Sequence, residues 1–253
     1  MKETFLIALG LTALAGLSTT IGSFLGLVFT NPSPRFMSIT LGFSAGVMLF
    51  ISFANLLPEA VESIGFLTAY TAFFFGIICM FLVDFFIPHD YIGQHDRKTK
   101  TGEGKLLKAG LFVALGIGIH NFPEGMVTFV GTLKDLRLGI AIAIAIAIHN
   151  IPEGLAISAP VYAATKSRKK AFWLSFFSGV TEPLGAGIAA LFLFPILTPT
   201  VLGWVLAFVA GIMIYISFDE LIPLSHSFGE EHFPILGLIT GMFVMAVSLW
   251  LLR

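Results

Sequence analysis

Cysteine and charge are both scarce in this chain. Its single cysteine, Cys79, stands in the apolar run FFFGIICMFLV. That excludes an internal disulfide and any cage of several thiolates around a metal. Charged residues make up only 11% of the 253 residues, against roughly 25% in an ordinary soluble domain. Acidic and basic residues nearly cancel to a formal net charge of −1, which leaves no electrostatic footprint for nucleic acid. A phosphate-binding loop is missing as well: Gly116-x-Gly118 has neither a strand before it nor a phosphate-binding lysine after it. ATP therefore cannot drive a cycle directly. HExxH, the zinc-protease motif, is absent.

What the chain has instead is apolar sequence. Hydrophobic residues account for 57% and the mean hydropathy is +0.94. Too few polar residues remain to cover an exterior in water, so lipid is the implied solvent. Apolar segments near the roughly 20 residues that cross a bilayer lie at about 4–29, 38–58, 66–88, 108–130, 137–162, 171–194, 201–222 and 233–252. The first is too long for a signal-peptide core and no small-residue cleavage pattern follows it, so it counts as a span. The expectation is an all-α integral membrane protein of eight transmembrane helices. Residues 1–253 are expected to form a single transmembrane domain, with one longer polar loop at about 89–107.

Basic residues orient these spans. Loops 1–2, 3–4 and 5–6 carry ten of them, from Arg35 through Arg97, Lys98, Lys100, Lys105 and Lys108 to Lys166, Arg168, Lys169 and Lys170. The opposite side carries four: Lys2, Lys134, Arg137 and Arg253. The positive-inside rule then puts the 89–107 loop in the cytoplasm and both termini outside the cytoplasmic membrane.

Two repeats organise the chain. Phe43–Pro58 (FSAGVMLFISFANLLP) and Phe208–Pro223 (FVAGIMIYISFDELIP) share nine identities in sixteen positions at an offset of 165. They fall on spans 2 and 7, which run in opposite directions, as in the inverted repeats of secondary transporters. The second repeat is tighter: HNFPEG (His120–Gly125) on span 4 and HNIPEG (His149–Gly154) on span 5.

On a helix, residues i and i+4 share a face. His120 therefore points with Glu124, and His149 with Glu153. Two antiparallel neighbours bring two imidazoles and two carboxylates towards one point. Asn121 and Asn150 lie about 100° around their helices, towards an adjacent position. Pro123 and Pro152 cannot donate to the carbonyls of Ile119 and Ile148, so those oxygens are freed beside the site. Glu182 on span 6 is followed by Pro183, which frees the carbonyl of Gly179 in the same way.

A lone mid-span histidine is usually a packing or hydrogen-bonding residue. Three buried carboxylates change the balance. Glu124, Glu153 and Glu182 together cost on the order of 8–10 kcal/mol if uncompensated, and no Lys or Arg lies at their depth in spans 4, 5 and 6. A metal cation is the missing partner. Imidazole with carboxylate suits borderline first-row ions rather than Cu⁺. Weaker signals mark a pathway: Asn55 and Glu220 occupy matching positions of the inverted repeat, Asp219 precedes the latter, and His89 follows span 3. For Asn55 and Glu220 the competing reading is a helix cap near a span end.

At the HNFPEG and HNIPEG pair, with Leu-x-Pro closing spans 2 and 7 and GVTEPLG in span 6, the sequence resembles the ZIP family of divalent metal transporters and its bacterial ZupT-type branch. The resemblance implies a 3+2+3 arrangement, with spans 1–3 and 6–8 as inverted repeats around spans 4 and 5. It implies import of zinc into the cytoplasm, with iron, manganese, cobalt and cadmium as related cargo and no resident cofactor. Metal roles carry onto His120, Asn121, Glu124, His149, Asn150, Glu153 and Glu182. A homodimer is a candidate assembly. The competing function is a membrane-embedded metalloenzyme with a di-metal site, which would turn over lipid or peptide while keeping its metal.

The topology is testable with Cys79→Ala and single cysteines at Thr4 and Thr101. An impermeant thiol reagent should reach them from opposite sides of the membrane. Labelling of both from one side contradicts the orientation.

Overall fold

A computed structural model describes residues 2–28, 33–85, 102–193, 196, 198–228 and 231–252. All regular structure among them is helical. The helices are α1 (Lys2–Val28), α2 (Pro34–Ile51), α3 (Leu57–Ile64), α4 (Phe66–Phe85), α5 (Gly102–Lys134), α6 (Leu136–Thr165), α7 (Arg168–Ile188), α8 (Pro199–Ile216), α9 (Ile222–His226) and α10 (Phe233–Leu252). Local chemistry sets several of the boundaries. Ser33, Asp135, Ser167 and Thr198 each cap a helix N-terminus by accepting the N–H three residues on, which satisfies one of the donors a helix start leaves free. Gly65, at φ 78°, breaks the chain between α3 and α4, a conformation that carries no Cβ penalty for glycine.

Seven segments among the described residues are long and apolar enough to cross a membrane: Glu3–Val28, Pro34–Ile64, Phe66–Phe85, Leu136–Ala159, Arg168–Phe192, Pro199–His226 and Phe233–Leu251. Their outward faces carry large apolar side chains, such as Leu14 and Phe24 on α1, Phe74 and Ile78 on α4, and Phe243 and Trp250 on α10. The chain is a multi-pass membrane protein. α5, which carries HNFPEG, is not one of the seven, although its 33 residues make it about 50 Å long.

The inverted repeat has a structural counterpart. α2 continues into α3 through a π-helical turn at Ser52–Leu56, and α8 continues into α9 through another at Ser217–Leu221. Each turn precedes a proline, Pro58 or Pro223, at the start of the next helix. Asn55 and Glu220 therefore sit inside continuous helices and cap neither. Such turns widen a helix by one residue and often occur at functional sites.

Packing sorts the helices into two groups. α1, α5, α6 and α7 pack closely on one another, as do α2 with α10 and α4 with α8, while α3 and α9 join the second set. Glycine marks the closest approaches within these groups. Gly22 meets the backbone of Ile151, Gly125 that of Glu182 and Gly154 that of Thr19, all inside the first group. In the second group, Gly46 meets Leu238, Gly241 meets Phe43, and Gly76 meets Phe208. Among the described glycines, every such backbone approach stays within one group. Between the groups, α2 lies on α6 and α5 on α8, with an apolar cluster of larger side chains running through both. Small residues let helix backbones touch and gain dispersion energy where lipid offers no hydrophobic drive.

A methyl group tests the approaches. An alanine Cβ at Gly125 would stand 1.9 Å from the Glu182 carbonyl oxygen, and one at Gly46 would stand 2.1 Å from that of Leu238. Gly125→Ala and Gly46→Ala should each lower stability by about 1–3 kcal/mol, read as a fall in thermal midpoint in detergent. Gly10→Ala, which meets nothing within 4 Å, should leave the midpoint unchanged or slightly raised.

Candidate metal centre

Pro123, Pro152 and Pro183 lie inside α5, α6 and α7. Around them the first helix group concentrates its buried polar side chains. Asn121, Glu124, His149, Asn150, Glu153 and Glu182 are all fully buried. Across the α5–α6 contact, His149 Nε2 lies 3.2 Å from Glu124 Oε1. The other ring nitrogen, Nδ1, lies 3.0 Å from the carbonyl oxygen of Ala145, one turn earlier on α6. A carbonyl can only accept, so Nδ1 holds the proton there and Nε2 is left to present a lone pair. A lone pair aimed at a carboxylate oxygen is repulsive unless a proton or a metal cation stands with them.

The asparagines donate through their amide nitrogens and leave their oxygens unpaired. Asn150 Nδ2 donates to the Ala15 carbonyl at 3.0 Å and also to Glu182 Oε1. Asn121 Nδ2 donates to the Ser178 carbonyl at 3.3 Å. Both amide groups are thereby oriented, with their oxygens turned away from those contacts. Asn121 Oδ1, Glu124 Oε2, Asn150 Oδ1 and Glu182 Oε2 are buried with no hydrogen-bond donor. Each such acceptor costs about 1–3 kcal/mol, more where charged, so the cluster is short of positive charge.

The structure thus brings Glu124 to His149 and Glu182 to Asn150. It does not close a full ligand set: among the described residues, no three His, Cys, Asp or Glu side chains stand close enough to hold one ion. His120 lies on α5, but its side chain is outside the described residues. Glu153 is buried on α6 one turn beyond His149.

Sequence reasoning missed three contributors. Ser44 on α2 donates to the His149 carbonyl at 3.3 Å from the second helix group. Ala15 and Ser178 contribute backbone carbonyls. A carbonyl leaves no mark in a sequence, and one buried serine in an apolar helix does not stand out.

Three relatives and one family now bear on this arrangement. The family model described as ZIP Zinc transporter matches residues 87–249. The chain is 50% identical over 268 residues to the zinc transporter ZupT of Chlorobaculum parvum, with 99% of each chain covered. It is 52% identical over 260 residues to that of Chlorobium phaeovibrioides, covering 97% of each. With that of Streptococcus mutans it shares 46% over 264 residues, covering 99% of each. The chain belongs to the ZIP zinc transporter family. Members of this ZIP family are transporters, which sets aside the metalloenzyme alternative.

Of the pathway residues, this ZIP chain buries Glu220 and half-buries Asn55 and Asp219, on the two matching π-helical turns. Asn55 lines an open cavity of about 390 Å³ together with Glu59, Glu62, Asp135 and Arg137. Towards the other end of the second group, Tyr215 donates to Asp84 at 2.8 Å. His89 lies outside the described residues.

Proposed function

We propose that this chain carries zinc across the cytoplasmic membrane into the cytoplasm through a mid-membrane site. His120, Asn121, Glu124, His149, Asn150, Glu153 and Glu182 are its ligands in this reading. The observation that carries it is the set of four buried acceptor oxygens without donors, on helices that offer no ammonium or guanidinium at that depth. A divalent cation is the group that satisfies them, and zinc is borderline enough to take imidazole and carboxylate together. Iron, manganese, cobalt and cadmium ions share enough of that preference to be further cargo.

In this reading α5 completes eight spans, arranged as inverted repeats of three around α5 and α6, in one domain of residues 1–253. Both termini lie outside. The two helix groups move against one another as bodies, and their side-chain boundary is where they slide.

Glu182 gives the site a second part. It is joined to Asn150, whereas Glu124 is joined to His149, so the acceptors divide into two neighbouring subsites. The Glu182 subsite has fewer nitrogen ligands and is the weaker. A second ion there would help the first to leave by repulsion. Glu182→Ala should therefore lower bound zinc from two ions to one in equilibrium dialysis. A wild type that never binds more than one ion contradicts the second subsite.

The function itself is tested by zinc uptake into proteoliposomes. Glu124→Ala and Glu153→Ala should each cut the uptake rate more than about tenfold while the protein remains monodisperse. Acidifying the outside should slow the parent, because protons compete for the same lone pairs. Parental uptake in either glutamate variant would show that the site lies elsewhere.

A further inference from the structure

Lys134 is the last residue of α5, and Asp135 alone separates it from α6. It therefore stands at the tip of the hairpin whose two arms carry HNFPEG and HNIPEG. The tip is stiff, because Asp135 Oδ1 accepts from Leu138 N at 2.9 Å and caps α6. From this tip Lys134 reaches out of its own helix group. Its Nζ lies 2.7 Å from Glu59 Oε2 and donates to Ser63 Oγ at 3.0 Å. Glu59 and Ser63 are one turn apart on α3, in the second group. Ser63 uses its own proton on the Glu59 carbonyl, at 2.8 Å, so its lone pairs are free to face the ammonium. One cation thus grips two successive turns of α3.

We propose that Lys134 is a positioning residue: it tethers the tip of the motif hairpin to α3 and so fixes both motif helices against the second helix group, and the tether opens during transport. The inference rests on the transport reading above. Position explains the leverage. Glu124 lies ten residues from Lys134, about 15 Å along a helix, so displacing the tip displaces the ligands as one body. Strength explains the reversibility. The two side chains are 24% and 34% exposed, and a pair so exposed is screened and weak. A weak tether biases an equilibrium between two positions without locking it.

The test uses Cys79→Ala protein with Ala54→Cys, a position on the cavity beside Glu59. Two readouts are taken: the maleimide labelling rate in purified protein, and zinc uptake in proteoliposomes. Lys134→Gln and Glu59→Gln should shift the labelling rate in the same direction by about threefold to fivefold, and shift maximal uptake in one shared direction. Lys134→Arg should stay within about 1.5-fold of the parent, and the exchange of Glu59→Lys with Lys134→Glu should return towards it. Unchanged labelling in all variants overturns the tether. So do opposite effects of the two Gln variants, or an exchange that remains as displaced as the worse single variant. If the parent takes up no zinc, the transport reading fails while the labelling still decides the tether.

Discussion

Carboxylates at the centre of a membrane need a positive partner. Glu124, Glu153 and Glu182 are fully buried on three adjoining helices, and no Lys or Arg occurs between Lys108 and Lys134, between Arg137 and Lys166, or from Ala171 to Leu252. Much of the surrounding structure follows from that constraint. Prolines inside α5, α6 and α7 free carbonyls beside the site. His149 has one nitrogen committed to the Ala145 carbonyl, so that the other faces Glu124. The asparagines are oriented through their amide nitrogens, so that their oxygens add to the acceptors. In the proposed reading a divalent cation completes this set.

The rest of the fold holds that cluster in place. Glycines bring α1, α6 and α7 together until backbones touch, which places the Ala15 carbonyl within reach of Asn150. In the second group glycines tie α2 to α10 and α4 to α8 in the same manner. Where the groups meet, polar links among the described residues include Ser44 to the His149 carbonyl, and Lys134 to Glu59 and Ser63. In the proposed reading the first group carries the ligands and moves against the second, as alternating access requires.

Much of this was legible in the sequence because the informative residues are repeated. Among the described residues the apolar runs lie on helices, some of which start further upstream behind capping residues such as Ser33 and Asp135. HNFPEG and HNIPEG declared their shared face through the i, i+4 rule, and the structure joins Glu124 of one to His149 of the other. The match between Phe43–Pro58 and Phe208–Pro223 was visible as well. That both segments contain a π-helical turn was not, since propensity does not distinguish one helical ladder from another. The grouping of α1 with α5, α6 and α7 was hidden too. A helix that is apolar on every side gives no period to say which face meets protein and which meets lipid. Contacts such as Lys134 with Glu59, 75 residues apart, exist only once the helices are packed.

The most direct test of the central claim is the zinc K-edge X-ray absorption spectrum of the purified, zinc-loaded protein. The account predicts a first shell of nitrogen and oxygen only, at about 2.0–2.1 Å, with the outer-shell scattering of imidazole. Glu124→Gln should change that shell. A sulfur shell at about 2.3 Å, or a shell of water oxygens without imidazole that is indifferent to Glu124, would contradict it.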